Sequence, residues 1–254
     1  MRAPSVFLAH GSPMSALGGD AHWAALKHFG ETRRDARAIV IISAHWQIRG
    51  QLRATSWEHA PLIYDFGGFP EELYTITYPA PGDPALAARI PGATPETSRG
   101  LDHGAWVPLR LAWPDAHIPV VQVSLPAAGP QEVFALGRAL RPLRDEGIMI
   151  IGSGGIVHNL GLVHFSEKNS GVDPWAAEFD RWVAARLEKQ DVQGLFDYSA
   201  SAPEAGLAVP TPEHFDPIFV TLGAAWPGER LETIYEGFHY GNLSMRSLAF
   251  TPPS

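Results

Sequence analysis

Short runs of aliphatic and β-branched residues recur along the chain and predict the buried strands of a sheet. They cover residues 5–9, 38–44, 118–125 and 147–152. Because these runs are apolar without alternation, they are typical of strands that are covered on both faces. Two segments near the C-terminus, 231–236 and 243–250, alternate polar and apolar positions, and they predict half-exposed strands at a sheet edge.

Helical stretches separate the strands and place the chain in the α/β class. They cover residues 22–29, 84–89, 130–144, 173–189 and 211–225. The last two open with a capping residue followed by proline, Asp173-Pro174 and Thr211-Pro212. Strands that alternate with helices predict a sheet with helices on both faces. Residues 51–99 lack a clear period and are rich in Pro and Gly, so we expect a long excursion there that walls a pocket.

Composition narrows the classes of function. The chain has 254 residues, of which 45% are hydrophobic, and this suits one α/β domain, although two small cores would also fit the length. It has no cysteine, which excludes disulfides, iron–sulfur clusters, thiolate zinc sites and cysteine nucleophiles. The formal charge of −8 argues against binding to nucleic acid or to an anionic membrane. Neither a spanning segment nor a signal peptide is visible, so we expect a cytoplasmic protein.

Three of the eleven histidines share a type of position that favours a metal site, and a fourth lies in the first turn of a predicted helix. His10, His45 and His158 each follow a predicted strand, and His214 falls in the first turn of the last predicted helix. In open α/β sheets, ligands bind where the carboxyl ends of the strands converge. A single histidine after a strand is more often a surface or hydrogen-bonding residue, but several at one edge favour a metal centre. Six others are interpreted as surface or helix-face residues: His22, His28, His59, His117, His164 and His239.

His103 stands apart, because it follows Asp102 directly before a predicted helix. An aspartate cannot readily reach the ring of the next residue, so Asp102 is interpreted as a helix cap rather than as half of a catalytic pair. Two positions remain equally open for His103: one that faces a pocket and one without a functional role. The glycine-rich turn 152–155 lacks the Lys and Ser/Thr of a P-loop, and the chain has no GxSxG motif. Ser12 and Ser43 are interpreted as hydrogen-bonding residues rather than nucleophiles.

Five motifs in order along the chain resemble those of the DODA-type extradiol aromatic ring-opening dioxygenases. They read HGSP at 10–13, SAHW at 43–46, LDHGAWVPL at 101–109, GSGGIVHNL at 152–160, and PEHF at 212–215 leading to LGA at 222–224. These enzymes belong to the class III extradiol superfamily that includes the β-subunit of protocatechuate 4,5-dioxygenase. The resemblance covers nearly the whole chain and is specific for the family, but not for one substrate.

The resemblance implies one catalytic domain over residues 1–254, an α/β/α sandwich around a mostly parallel or mixed sheet. It also implies a mononuclear metal site. By position, His10, His45 and His214 would hold the metal. His158 would be the acid/base histidine, or a fourth ligand when the site holds zinc, and His103 would line the substrate side.

The implied activity is the opening of a catechol ring, DOPA-like or other, by O₂ to a semialdehyde. Ring cleavage implies Fe(II), because O₂ activation needs a redox-active ion. The all-histidine set also suits Zn(II), which we expect to find in the same site. Many relatives in the superfamily use two histidines and a carboxylate, and this chain departs from that pattern.

The remaining expectations concern the surroundings of the site. The partners would be a small catechol and O₂, and the chain would be a monomer or homodimer. Trp46 would wall the pocket, with core packing as its alternative. Three basic residues are candidates to bind a charged group of the substrate: Arg49, Arg99 and Lys168.

Two other classes of function remain open at this point. One is a zinc hydrolase that uses the same histidines and a zinc-bound water, and it would work without O₂. The other is a non-catalytic binding protein on the same fold, which would bind ligand without turnover under any metal. The complete set of four histidines argues against the second class, since a site that has lost its chemistry tends to lose its ligands.

Overall fold

A mixed sheet of eight strands organises the protein, for which a computed structural model describes residues 2–253. The strands are β1 (Ser5–Ala9), β2 (Ala38–Ile48), β3 (Leu52–Thr55), β4 (Ala93–Glu96), β5 (Val120–Pro126), β6 (Ile148–Gly154), β7 (Arg230–Tyr235), β8 (Phe238–His239), β9 (Leu243–Ser244) and β10 (Ser247–Thr251). Strands β8 and β9 pair only with each other, and the sheet has the order β4-β3-β5-β2-β6-β1-β10-β7.

The middle of the sheet is parallel and the flanks are mixed. Strands β5, β2, β6 and β1 run parallel, whereas β10 and β7 on one side and β3 on the other pair antiparallel with their inner neighbours. All residues of β1 and β6 are buried, which explains why their sequences do not alternate. The mostly parallel or mixed sheet expected from the sequence is therefore confirmed.

Nine α-helices within the described residues surround the sheet. They are α1 (Ala21–Glu31), α2 (Pro84–Ala87), α3 (His103–Ala112), α4 (Pro130–Leu140), α5 (Pro174–Glu188), α6 (Val192–Phe196), α7 (Tyr198–Ser201), α8 (Ala205–Ala208) and α9 (Pro217–Ala224). Short 3₁₀ turns cover Pro13–Leu17, Glu71–Thr75, Arg141–Glu146 and Pro212–His214. None of the helices in residues 2–253 has the length and apolar character needed to cross a membrane.

The helices form two layers, one on each face of the sheet. Ile39 and Ile41 of β2 belong to the apolar cluster that contains residues of α1 and α3. Val40 and Ile42 belong to the opposite cluster, which contains residues of α4, α5 and α9. Successive residues of one strand thus enter two different cores, as the pleat of a strand requires. This is the α/β/α sandwich that the family resemblance implied.

Prolines end two of the predicted helices early. The segment 130–144 is helical only to Leu140 and then tightens into a 3₁₀ turn at Pro142. The segment 211–225 is not one helix but the turn Pro212–His214 followed by Pro217–Ala224. A proline has no N–H to donate, so the hydrogen-bond ladder of an α-helix is interrupted at each of these positions. His214 therefore lies in a separate turn rather than in the first turn of a long helix.

The C-terminal and middle segments also differ from prediction. Strand β7 lies at the edge and is partly exposed, as expected. The prediction of a half-exposed strand over 243–250 is wrong, because β10 is buried between β1 and β7. Its polar residue Ser247 is satisfied inside the sheet, where the hydroxyl accepts a hydrogen bond from the backbone N–H of Ala9. Residues 51–99 are less irregular than predicted, since they supply β3 and β4.

Candidate metal centre

Five histidines gather at the carboxyl edge of the parallel strands. His10 follows β1, His158 follows β6, His103 is the first residue of α3, and His214 ends a 3₁₀ turn. His45 lies inside β2 rather than after it, which corrects the prediction that the strand ends at residue 44. Pairing of β2 with β5 is irregular between Ile42 and Gln47, and such bulges redirect side chains. His45 thus lies at the predicted edge of the sheet, although β2 continues beyond it.

The rings are in close contact. The Nε2 atoms of His10 and His45 are 3.2 Å apart. The ring centroid of His214 lies 5.4 Å from that of His10 and 4.9 Å from that of His45, and His103 lies 4.0 Å from His45. His158 stacks on His214 with centroids 3.6 Å apart. His10, His45 and His103 each offer a nitrogen within 4.8 Å of the other two.

The hydrogen bonds of His10 fix its tautomer. The Ser153 hydroxyl donates its single hydrogen to the carbonyl of Gly104 and lies 3.1 Å from Nδ1 of His10. Because that hydrogen is already used, His10 must donate from Nδ1 to the serine oxygen. Its Nε2 therefore carries a free lone pair that faces His45. Such a second bond on the far nitrogen is what orients histidines at metal centres.

A carboxylate that the sequence did not point to, Asp65, holds His103. Oδ1 of Asp65 accepts hydrogen bonds from both the backbone N–H and Nδ1 of His103, at 2.9 and 2.8 Å. Asp102 caps α3 by accepting from the backbone N–H of Ala105 at 3.1 Å, as its position predicted. His103 thus faces the cluster, and its carboxylate partner comes from the excursion after β3 rather than from its sequence neighbour.

Glu213 holds His214 across a single peptide bond. Its Oε1 lies 3.2 Å from Nδ1 of His214 and also accepts a hydrogen bond from Thr211. The extra methylene of glutamate allows a contact with the neighbouring ring that Asp102 does not make with His103. Nε2 of His214 is buried and has no hydrogen-bond partner in residues 2–253. A buried nitrogen without a partner is costly, so this atom fits a group that is absent from the protein chain.

The electrostatics of the site favour neutral imidazoles at His10, His45 and His158. Burial, followed by the neighbouring imidazoles, lowers the pKa of both His10 and His45 well below the usual value for histidine. Burial and then His214 lower the pKa of His158 to about 3. The hydrogen bond from His214 outweighs burial and lowers the pKa of Glu213 to about 2. Neutral imidazoles backed by anionic carboxylates are the donor set that divalent transition metals prefer.

The distance between His10 and His45 also fits a shared ion. Two nitrogens that each lie about 2.0–2.1 Å from one metal ion are separated by about 3.0–3.4 Å, depending on the angle between them. The observed Nε2–Nε2 distance of 3.2 Å lies in this range. His103 offers a nitrogen within 4.8 Å of both, so these three residues could hold one metal ion, and the ring that carries the unpartnered Nε2 of His214 has its centroid 5.4 Å from that of His10.

The glycine-rich turn brings His214 to the sheet. A Cβ atom on Gly154 would lie 2.1 Å from the carbonyl oxygen of His214, and one on Gly152 would lie 2.2 Å from that of Pro217. The backbone N–H of Gly155 donates to the carbonyl of His214 at 2.8 Å. Glycine is therefore required here for close backbone packing. The turn serves the histidine cluster and has no need of a phosphate ligand.

Several residues that the sequence singled out are paired with other groups or lie on the surface. Lys168 forms an ion pair with Asp20, and Arg99 donates to Asp102 and to the carbonyl of His45 while lying over the buried ring of Trp46. His28, His59, His117, His164 and Arg49 are exposed. The surface interpretation is wrong for His22 and His239, which are buried, although His22 does lie on helix α1. The two rings pack edge to face with centroids 6.1 Å apart.

An aromatic wall next to His103 was also missed. Phe66 lies edge-on to His103 with ring centroids 5.6 Å apart, and Tyr74 packs on Phe66 at 5.1 Å. Both residues belong to the excursion 51–99, so the expectation that this segment walls the site is correct. Its sequence has no period that could have identified these particular side chains.

Comparison with known proteins places the chain in a family. Residues 4–251 match the family described as the catalytic LigB subunit of aromatic ring-opening dioxygenase. A 4,5-DOPA dioxygenase extradiol of Escherichia coli is 42% identical, covering 97% of this chain and 94% of that protein. One from Beta vulgaris is 40% identical over 96% and 95% of the two chains.

A solved structure agrees with this assignment. The crystal structure of an uncharacterized protein of Escherichia coli K12 matches with a TM-score of 0.83 and 36% identity. The match covers 98% of this chain and 100% of that one. The chain belongs to the family of catalytic LigB subunits of aromatic ring-opening dioxygenases, and it is a ring-cleaving dioxygenase.

Proposed function

We propose that this chain, as one catalytic domain over residues 1–254, opens a DOPA-like or other catechol with O₂ outside its two hydroxyls to give a semialdehyde. The observation that carries the proposal is the cluster of His10, His45 and His103, whose nitrogens lie within 4.8 Å of one another, beside the buried and unpartnered Nε2 of His214. Relatives named 4,5-DOPA dioxygenase extradiol, at 36–42% identity over most of the chain, support a DOPA-like substrate.

His10, His45 and His214 are the proposed metal ligands. His10 and His45 face each other through Nε2, and His214 has a buried Nε2 with no partner in the described chain. His103 is near enough to compete for the third position. However, its contact with Phe66 associates it with the aromatic wall, so we assign it to the substrate side. His158, stacked on His214, is the acid/base residue or the fourth ligand of a zinc-loaded site.

Fe(II) is the proposed working metal, and Zn(II) is a second ion that the same donors would hold. A redox-active ion supplies the electron that triplet O₂ needs to react with a closed-shell ring, which Zn(II) cannot do. Ring opening therefore requires both Fe(II) and a catechol. The same histidines are compatible with Zn(II) in the purified protein.

The protein side chains would move the protons. His103 donates from Nδ1 to Asp65, so its Nε2 is free to accept a hydrogen bond from a catechol hydroxyl. A neutral ring nitrogen of His158 would accept the proton of the second hydroxyl and return it later in the reaction. Phe66 and Tyr74 would contact the faces and edges of the aromatic substrate.

The test is O₂ consumption by protein that has been stripped of metal and reloaded anaerobically with Fe(II). A panel of catechols including L-DOPA is supplied, with a zinc-loaded sample as the control. We expect O₂ uptake and a yellow ring-opened product with iron only. The proposal would be contradicted if no catechol of the panel caused O₂ uptake although iron is confirmed to be bound. Turnover under nitrogen would instead identify a zinc hydrolase. The cytoplasmic location and the monomeric or dimeric state stay predictions.

A further inference from the structure

We infer that Asp65 is a positioning residue that fixes the tautomer of His103 and holds the rings of His103 and His45 beside each other. Its assignment to the reaction rests on the proposed function above. Asp65 lies in the excursion between β3 and β4, 38 residues before His103 in the sequence. It therefore joins this excursion to the first turn of α3 at the edge of the metal centre.

The two hydrogen bonds from His103 to Asp65 form a closed loop, because both end on the same carboxylate oxygen. One oxygen, Oδ1, accepts from both the backbone N–H and Nδ1 of the same residue. The side chain of His103 is therefore held at both of its ends, its backbone attachment and its imidazole. Because an ionised carboxylate can only accept hydrogen bonds, Nδ1 of His103 must carry a proton, and in the neutral ring this leaves Nε2 as a free acceptor.

The second oxygen of Asp65 faces the neighbouring ring. Oδ2 lies 3.7 Å from Nδ1 of His45, longer than a hydrogen bond but close enough for charge attraction. The centroids of the His45 and His103 rings are 4.0 Å apart. One carboxylate thus lies beside a proposed ligand and a proposed substrate-side histidine. Carboxylates in this position orient imidazoles and raise their basicity toward a metal ion.

A cap of α3 would be a merely structural explanation of the same contact. The helix already has one, since Asp102 accepts from the N–H of Ala105. Asp65 keeps 24% of its side chain exposed and lies two residues before the exposed pair Gly67-Gly68. An added cap at so exposed a place explains the backbone contact but not the bond to Nδ1. The tautomer of His103 separates the two explanations.

The decisive experiment reads that tautomer in metal-free protein by ¹⁵N NMR of labelled histidine. In the wild type, we expect His103 to be protonated on Nδ1. In Asp65→Ala, the proton should shift toward Nε2, whereas Asp65→Asn, whose amide oxygen can still accept, should retain Nδ1–H. Glu71→Gln is the matched control, because Glu71 lies in the same excursion and makes no side-chain hydrogen bond or ion pair in the described chain.

An unchanged tautomer in Asp65→Ala would overturn the inference, even if activity fell. If that variant does not fold, Asp65→Ser is used instead, because a serine side chain is polar but too short to reach Nδ1 of His103. In Fe(II)-loaded protein we expect Asp65→Ala to lower kcat roughly 10–100-fold with a smaller change in KM. Asp65→Asn should recover part of the loss. If wild-type protein consumes no O₂, the proposed function fails, while the NMR result still decides the role of Asp65.

Discussion

The imidazole rings of His158 and His214 lie face to face, with centroids 3.6 Å apart and planes inclined by only 4°. Two stacked cations would repel each other in a buried site, and burial followed by His214 lowers the pKa of His158 to about 3. Stacking covers a face of the His214 ring without using a nitrogen of either ring, whereas Glu213 contacts its Nδ1. A substitution at position 158 that keeps a flat aromatic ring but removes the ring nitrogens therefore distinguishes metal binding from proton transfer.

His158→Phe makes that separation. We expect the variant and the wild type to bind the same amount of metal, about one ion per chain, because phenylalanine preserves the flat face against His214. Ring opening should fall by about 10²–10⁴-fold, the usual contribution of a general acid or base. Metal content and O₂ uptake measured on the same sample test this. Unchanged turnover would show that His158 has no role in proton transfer.

His214→Ala and His103→Ala should have different effects on metal binding. The first removes a proposed ligand, so we expect metal affinity to fall by well over tenfold. The second should leave affinity within a few-fold of the wild type and abolish most turnover. Titration of metal-free protein with Zn(II) measures both affinities without any catalysis. The reverse order would make His103 the third ligand, in place of His214.

Gly154→Ala should damage the site through the backbone. A Cβ at this position would lie 2.1 Å from the carbonyl oxygen of His214, so the turn that holds His214 must move. Overpacking of this kind typically costs about 1–3 kcal/mol, and we expect weaker metal binding with it. Gly155→Ala is the matched control, because its nearest contact would be 3.6 Å. Equal melting temperatures and metal affinities for the two variants would contradict this account.

His22 should make the protein sensitive to acid. Burial, followed by the neighbouring His239, lowers the pKa of His22 to about 3, and the nearby Asp20 only partly opposes this. The unfolded chain binds a proton at His22 below about pH 6.5, while the folded chain does not until about pH 3. Its contribution to stability is therefore complete above pH 6.5 and is lost progressively as the pH falls toward 3.

His22→Phe removes this titration. Between pH 4 and 6 we expect the free energy of unfolding of metal-free protein to fall less steeply with acid, by about 1.4 kcal/mol per pH unit. Asp20, Lys168, His239 and Tyr235 face this group and remain in the variant. Denaturant unfolding at several pH values measures the slope. His28→Phe, an exposed change on the same helix, is the control, and equal slopes for both variants would refute the prediction.

The sequence predicted the parts of the site that follow from strand order. His10 and His158 were found because each follows one of the mutually parallel strands in the middle of the sheet, and the carboxyl ends of such strands meet at one edge. His45 was found by the same argument although β2 continues past it. The family motifs then gave a role to His103, which position alone left open, and a ligand role to His214, which position alone placed in the first turn of a helix.

The rest depended on contacts between distant segments. Asp65 lies in a stretch without a hydrophobic period, and its contact with His103 spans 38 residues, so no local pattern reveals it. The burial of β10 was hidden because Ser247 is satisfied by the backbone of Ala9 across 238 residues. A polar residue looks exposed in a sequence until its partner is known. The same holds for the buried histidines His22 and His239.

The bond between His10 and Ser153 joins residues that are 143 positions apart, and β6, which carries Ser153, lies between β1 and β2 in the sheet. His10 and His45 therefore meet only after all three strands have paired. A chain that has formed its helices but not closed this part of the sheet has no pair of facing nitrogens. The proposed metal ion would therefore find this pair of nitrogens only after this part of the sheet has closed, and its binding would stabilise the folded state over partly folded ones.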